Sequence, residues 1–336
     1  MSDNRPVSPN SARRLDDLVW RRDILGEGFE NAEILTVGSE PATLVRAHFD
    51  SPSSKPALLW IHGMSDYFFQ AHVAEHFLAQ GYPFYAVDMR RCGRSWREGQ
   101  RWHATTDLEE YFPELTLAAR LIAGEHGSVV PIAHSTGGLI APLWLDYVRR
   151  RDPGLHSAVA GMILNSPWLD MQFPKLLVLA LKYPVAVLGK AFPTLAVNKG
   201  GTATYGKSIS IEEHGSWRFD TTMKPIEGHS VSLGWLRAIF LGQERIHSGD
   251  VDTGVPMLTL SSSHSYLRQP YSPAADTADT VLDVADMKRW APTLARDSQV
   301  LAIDGALHDV FLSEKYAREA ALASALRWLS DLKIQH

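Results

Sequence analysis

The sequence has a single cysteine, Cys92, in 336 residues, so no internal disulfide can form. It has no basic excess. The formal net charge is -5, which leaves no electrostatic footprint for nucleic acid. It has no long apolar run either. The longest, 176–192, is interrupted by Lys182, Pro184 and Lys190 and falls short of the roughly 20 residues a membrane span needs. The first twenty residues are polar, with Arg13 and Arg14 near Asp16 and Asp17, and hold no apolar segment of the kind a secretory signal requires. CxxC, HExxH and EF-hand spacings are missing, so no metal and no cofactor is expected. These absences fit a cytoplasmic protein without nucleic-acid partners.

What is present is a rhythm. Short apolar, β-branched runs at 57–61, 83–87, 129–133 and 159–164 alternate with helical spacing at 70–80, 108–127 and 136–151. It resumes with strands at 255–260 and 299–303 and helices at 284–295 and 313–332. Continuous apolar strands separated by helices imply a mostly parallel sheet with helices on both faces. Residues 32–36 and 43–49 read as a strand pair around the turn-rich 37–41, while 1–30 read as an N-terminal extension without a period. Between 168 and 250 the rhythm breaks. An apolar stretch, a glycine-rich loop at Lys199-Gly200-Gly201 and scattered aromatics read as a helical insertion.

The chemistry starts at Ala133-His134-Ser135-Thr136-Gly137-Gly138. A buried strand ends at a serine, two glycines follow, and a helix begins. A tight strand–helix turn pushes the Ser135 hydroxyl out of the sheet, with the Thr136 N–H at a helix N-terminus beside it. A serine needs a base, and His308 lies on the loop after the last expected strand. The base needs a carboxylate between serine and histidine in chain order. Asp279 sits where the chain passes back over the sheet edge. Asp283 reads as a helix cap and Asp276 as a solvated residue, and Asp170 is the rival acid. The oxyanion needs two N–H donors, from Thr136 and from Met64 in the loop after 57–61, where Gly63 allows close approach. His62 reads as a brace for that loop and His134 as packing beneath the elbow.

Together, His62-Gly63, the loop from Asp88 to Ser95, the serine turn, Asp279-Thr280-Val281-Leu282-Asp283 and His308-Asp309 resemble the α/β-hydrolase superfamily. The likeness is to its monoacylglycerol lipase/lysophospholipase-like branch, the serine aminopeptidase S33 hydrolases, and runs from about residue 30 to the end. It implies an eight-stranded, mostly parallel sheet, with a core of 31–167 and 251–336. It also implies a helical cap between strands six and seven, where 168–250 falls. Gly93-Arg94-Ser95 matches the family's glycine-rich loop. One departure is Ala133, where the family usually has glycine two residues before the serine. The expected function is a serine hydrolase that cleaves a carboxylic ester or lactone of a largely apolar substrate through an acyl-enzyme. Amide or C–C hydrolysis on the same residues, or a non-catalytic binding protein, are the alternatives. Trp168, Tyr205, Trp217 and Trp235 are candidates for an aromatic-lined substrate pocket, although tryptophans in a cap are also common packing residues. The stretch 176–192 either lines an acyl pocket, touches a lipid surface, joins a homodimer or packs on the core. No arginine cluster is visible that would hold a charged substrate.

Overall fold

The computed structural model of the protein describes residues 14–36, 40–49, 53–173, 175–198 and 203–332. Residues 1–13, positions 37–39 of the expected turn at 37–41 and the expected glycine-rich loop at 199–201 lie outside them. The chain runs through β1 (Arg21–Asp23), β2 (Gly26–Ile34), β3 (Ala42–Ala47), β4 (Ala57–Ile61), α1 (Ala71–Ala79) and β5 (Phe84–Asp88). It continues with α2 (Phe112–His126), β6 (Val129–His134), α3 (Gly137–Arg151), α4 (Pro153–Ser157) and β7 (Met162–Asn165). Then come α5 (Lys175–Ala191), β8 (Ala196–Asn198), α6 (Ala203–Ile209), β9 (Val231–Ser232) and α7 (Leu233–His247). The last elements are β10 (Met257–Ser262), α8 (Val284–Trp290), β11 (Ser298–Ile303) and α9 (Lys315–Asp331).

Among the described residues nine strands form one sheet, in the order β1-β2-β3-β5-β4-β6-β7-β10-β11. Every pair from β5 to β11 is parallel, and the β1, β2 and β3 pairings are antiparallel. Parallel order follows from the sequence of β4, whose five residues are all buried. Its side chains alternate between faces. Leu59 and Ile61 enter the core that includes α2 and α3 residues, while Leu58 and Trp60 enter the core that includes α1 and α9 residues.

Two expectations are corrected here. The sheet has nine strands, not eight, and the extension does not run to residue 30, because β1 and most of β2 lie inside it. β1 is Arg21-Arg22-Asp23 and carries no apolar alternation. An edge strand pairs through its backbone, so its pattern is weak. Asp23 is buried and accepts from Arg94 at 2.7 Å, and the same guanidinium donates to Asp88 at the end of β5 at 2.7 Å. Arg94 thus ties the first strand to the sheet.

Residues 168–250 fall between β7 and β10. They carry α5, α6 and α7, together with an antiparallel ribbon of β8 and β9 that the sequence does not announce. Val185 of α5 is buried, but Leu176 and Tyr183 of the same helix are 82% and 78% exposed.

Candidate active site

Ser135 lies at the turn between β6 and α3, with φ at +54°. A left-handed serine costs on the order of 1–3 kcal/mol and persists only when its surroundings hold it. They do. The Ser135 N–H donates to the Asn165 carbonyl at 3.0 Å, and its own carbonyl accepts from Gly138 and Trp168 at 2.9 and 3.0 Å. The turn also needs Gly137, because a Cβ there would lie 2.5 Å from the His62 carbonyl oxygen. Ala133, the departure from the family pattern, is buried in β6 opposite Ile61 and Leu164, and the ladder runs through it unbroken.

His308 Nε2 is 2.9 Å from Ser135 Oγ, and His308 Nδ1 is 2.9 Å from Asp279 Oδ2. Asp279 Oδ1 accepts from the N–H groups of Val281 and Leu282, each at 2.8 Å. The carboxylate is therefore held on its far side and turned toward the ring. That fixes the tautomer with the hydrogen on Nδ1, leaving Nε2 free to take the Ser135 proton. All three residues are buried. Cys92 offers no rival nucleophile: it is buried, and burial pushes its thiol well up.

The histidine loop is clamped from beneath. Asn165 Nδ2 donates to Asp309 Oδ1 at 2.7 Å, Asn165 Oδ1 accepts from Val310 N–H at 3.1 Å, and Gln70 Nε2 donates to Asp309 Oδ2 at 3.0 Å. Since the Asn165 carbonyl also holds Ser135, one residue at the end of β7 joins serine and histidine. His134 sits beneath the turn, as expected. Burial lowers its pKa to about 4, so it is neutral, and Nδ1–H donates to the Asn165 carbonyl at 3.1 Å. The rival acids are engaged elsewhere. Asp170 accepts from Trp290 Nε1 at 3.0 Å, Asp276 from the Tyr271 hydroxyl at 2.8 Å, and Asp283 caps α8 through Ala285 N–H at 2.9 Å.

Met64 follows β4 in the loop facing Ser135. Gly63 is needed there, since a Cβ would lie 2.9 Å from Ser135 Cβ. Thr136 is the N-cap of α3, so its N–H is among those that a helix leaves without an internal partner. His62 accepts from Met89 N–H at 3.0 Å through Nε2 and donates through Nδ1 to the Gly63 carbonyl at 2.7 Å, which is the expected brace.

A cavity of about 580 Å³ opens above Ser135. Met64, Thr136, Trp168, Tyr205 and Trp235 line it, with Val178, Leu181 and Val185 of α5 on its wall. Trp217 does not. It stacks on His72 at 4.2 Å and donates to the Leu312 carbonyl at 2.6 Å, so its apolar ring covers the core instead of the cavity. Among the polar lining residues that the sequence does not single out, Lys224 and Asp66 form a buried pair at 2.9 Å. A lysine in an aperiodic stretch gives no signal of burial. Asp66 stands two residues after Met64, and that proximity was the only available hint.

The family model described as serine aminopeptidase S33 (Hydrolase_4) matches residues 52–315. No curated protein matches the chain. Among solved structures, a soluble variant of monoglyceride lipase from Saccharomyces cerevisiae is similar, with 15% identity, a TM-score of 0.63, and 93% of this chain and 95% of that chain covered. Monoacylglycerol lipase from Paleococcus ferrophilus is 21% identical with a TM-score of 0.59, over 85% of this chain and 98% of that one. A thermostable carboxyl esterase from Bacillus coagulans is 11% identical with a TM-score of 0.60, over 91% and 99%. Likeness at these identities establishes the fold.

Proposed function

The chain belongs to the serine aminopeptidase S33 family of α/β-hydrolase fold, and from that premise we propose that it hydrolyses a carboxylic ester or lactone of a largely apolar substrate through an acyl-enzyme on Ser135. The observation that carries this reading is the chain of two 2.9 Å contacts from Ser135 Oγ through His308 to Asp279 at the base of a largely apolar cavity. His308 Nε2 takes the hydroxyl proton as Ser135 Oγ bonds to the carbonyl carbon. The carbonyl oxygen becomes an oxyanion and accepts from the Met64 and Thr136 N–H groups. Asp279 steadies the imidazolium. His308 then gives the proton to the alkoxide as its C–O bond breaks. Water attacks the acyl carbon, His308 takes its proton, and the acid leaves with Ser135 restored.

Residues 168–250 act in this reading as a cap over a core that begins near residue 21. Its α5 supplies part of the acyl wall, and the exposed face of α5 supports contact with a lipid surface. No helix among the described residues is long and apolar enough to cross a membrane. The test is labelling by a fluorophosphonate, followed by hydrolysis of p-nitrophenyl esters of increasing chain length beside monoacylglycerols, lactones and peptide amides. Labelling is expected in the wild type and lost in Ser135→Ala, with kcat on esters lower by about 10⁶. Equal labelling of both proteins overturns the nucleophile, and amide turnover above ester turnover overturns the substrate class.

A further inference from the structure

The loop that carries the Met64 N–H is held from two sides. Ser65 follows it with φ at +52°, a left-handed conformation that a serine keeps only under constraint. On the core side, the Ser65 N–H donates to His103 Nε2 at 2.9 Å. His103 is buried, and burial holds its pKa well below the ordinary value, so the ring is neutral and can accept. Its other nitrogen, Nδ1, lies 3.1 Å from the buried Cys92 Sγ. On the other side stands the insertion. Ser65 Oγ accepts from the His229 N–H at 2.7 Å, Asp66 Oδ1 from Lys224 Nζ at 2.9 Å, and the Tyr67 hydroxyl from the Asp220 N–H at 2.8 Å. Three consecutive loop residues, immediately after Met64, are each bonded to the segment 220–229.

We propose that this segment, with Lys224 at its centre, positions the oxyanion-binding loop, so that the insertion contributes to the rate of acyl transfer and not only to the choice of substrate. The proposal rests on the hydrolase reading of Ser135. Lys224 touches no reacting atom in it and is a positioning residue. Its pair with Asp66 is buried, with side chains 8% and 2% exposed, so solvent screens it little. Burial pushes the Asp66 carboxyl up, but its polar surroundings, the Lys224 ammonium foremost among them, bring it below the usual carboxylate range. The ammonium also lies 5.3 and 5.6 Å from the Tyr205 and Phe69 ring centroids, which fixes it in place. A donor displaced by a fraction of an ångström stabilises the oxyanion less while leaving ground-state binding intact.

The experiment compares Lys224→Met, the double variant Lys224→Met/Asp66→Asn and Ser65→Gly with the wild type. The double variant leaves no unpaired buried charge. Ser65→Gly removes the acceptor for His229 at a φ that glycine adopts without strain. Each is assayed on p-nitrophenyl acetate, too short to span the cavity, and against a short trifluoromethyl ketone, which adds to the serine and places an oxyanion in the hole. The expected result for the Lys224 variants is a kcat lower by roughly 10- to 100-fold with KM within twofold. The ketone inhibition constant should rise by the same factor as kcat/KM falls. Ser65→Gly is expected to lose about fivefold in kcat. Folded variants that keep kcat within twofold, or that lose only KM on long-chain esters, overturn the proposal and make Lys224 a substrate-contacting group. Wild-type protein that no fluorophosphonate labels overturns the hydrolase reading itself, and the proposal with it.

Discussion

The sheet and the insertion use the same apolar residue types to opposite ends. In β4 every side chain is buried, and Trp60 lies between Phe68 and Phe311 with ring centroids 6.1 and 5.9 Å away. In α5, Val185 is buried while Leu176, Tyr183 and Val187 stand exposed, and Leu181 faces the cavity at 45% exposure. A strand covered on both faces by helices has one environment, so its residues are committed to stability. A helix that covers a cavity has three: packed, cavity-facing and solvent-facing. Substitutions should therefore separate. Those in the sheet change folding, and those in α5 change which substrates are used.

The sharpest test of the core comes from the proposed acid. Asp279→Asn should lower kcat by about 10⁴, because an amide that donates toward Nδ1 favours the wrong tautomer. Asp170→Asn, whose carboxylate accepts from Trp290 and the Met171 N–H, should change kcat less than threefold. Steady-state kinetics of the two variants decide between the acids, and the reverse pattern would move the acid to β7's side of the site. Next in size is Trp60→Ala, which should lower unfolding free energy by about 3–5 kcal/mol in a urea titration. Trp60→Phe should cost less, since Trp60 Nε1 has no hydrogen-bond partner among the described residues. Tyr183→Ala on α5 should stay within about 0.5 kcal/mol.

Acid should act on the core in the same way. His134 has a folded pKa of about 4, against about 6.5 for a free histidine. Its folded pKa is depressed, so its contribution is full above pH 6.5 and is lost as pH falls toward 4. Between pH 7 and 5 the loss is on the order of 2 kcal/mol. His134→Asn should remove that share of the decline, measured as the shift in urea midpoint between the two pH values. His72, His76, His103, His126 and His229 are also lowered by burial and act with the same sign, so some decline remains. An unchanged slope in the variant would assign the acid sensitivity to groups other than His134.

Much of this contrast could be read before any coordinates. Buried parallel strands are continuous apolar runs, and a nucleophile turn, a late histidine and an intervening aspartate follow from the order in which such a sheet is threaded. The sites on which the sequence is silent share a cause. β1 is charged because an edge strand needs only its backbone. Trp217 looks like any cap aromatic, but its partners His72 and Leu312 lie far away in sequence. Asn165 directly follows the apolar run 159–164 and carries no pattern of its own, although its side chain and carbonyl together join Ser135 to the His308 loop. Lys224 belongs to a segment without period, and its burial is decided by Asp66, far away in sequence and 2.9 Å away in space. Pattern predicts what local spacing controls; these four are controlled by a partner that spacing does not reveal.

A more modest change bears most directly on the insertion. Leu181 lines the cavity from α5 and is half-buried, so Leu181→Ala removes part of an apolar wall and little packing. At about 25 cal/mol per Å² of apolar area, the lost contact to a long acyl chain is worth about 1 kcal/mol, or about fivefold in kcat/KM. A two-carbon acyl group does not reach that wall. The ratio of kcat/KM for p-nitrophenyl octanoate to that for the acetate should therefore fall about fivefold. Lys224→Met should move both esters together, because the loop it holds acts on the oxyanion, which every ester forms. If Leu181→Ala also moves both esters equally, α5 acts on the reaction centre and the division between a rate-setting loop and a length-setting helix fails. If the ratio falls alone, one insertion carries two separable functions.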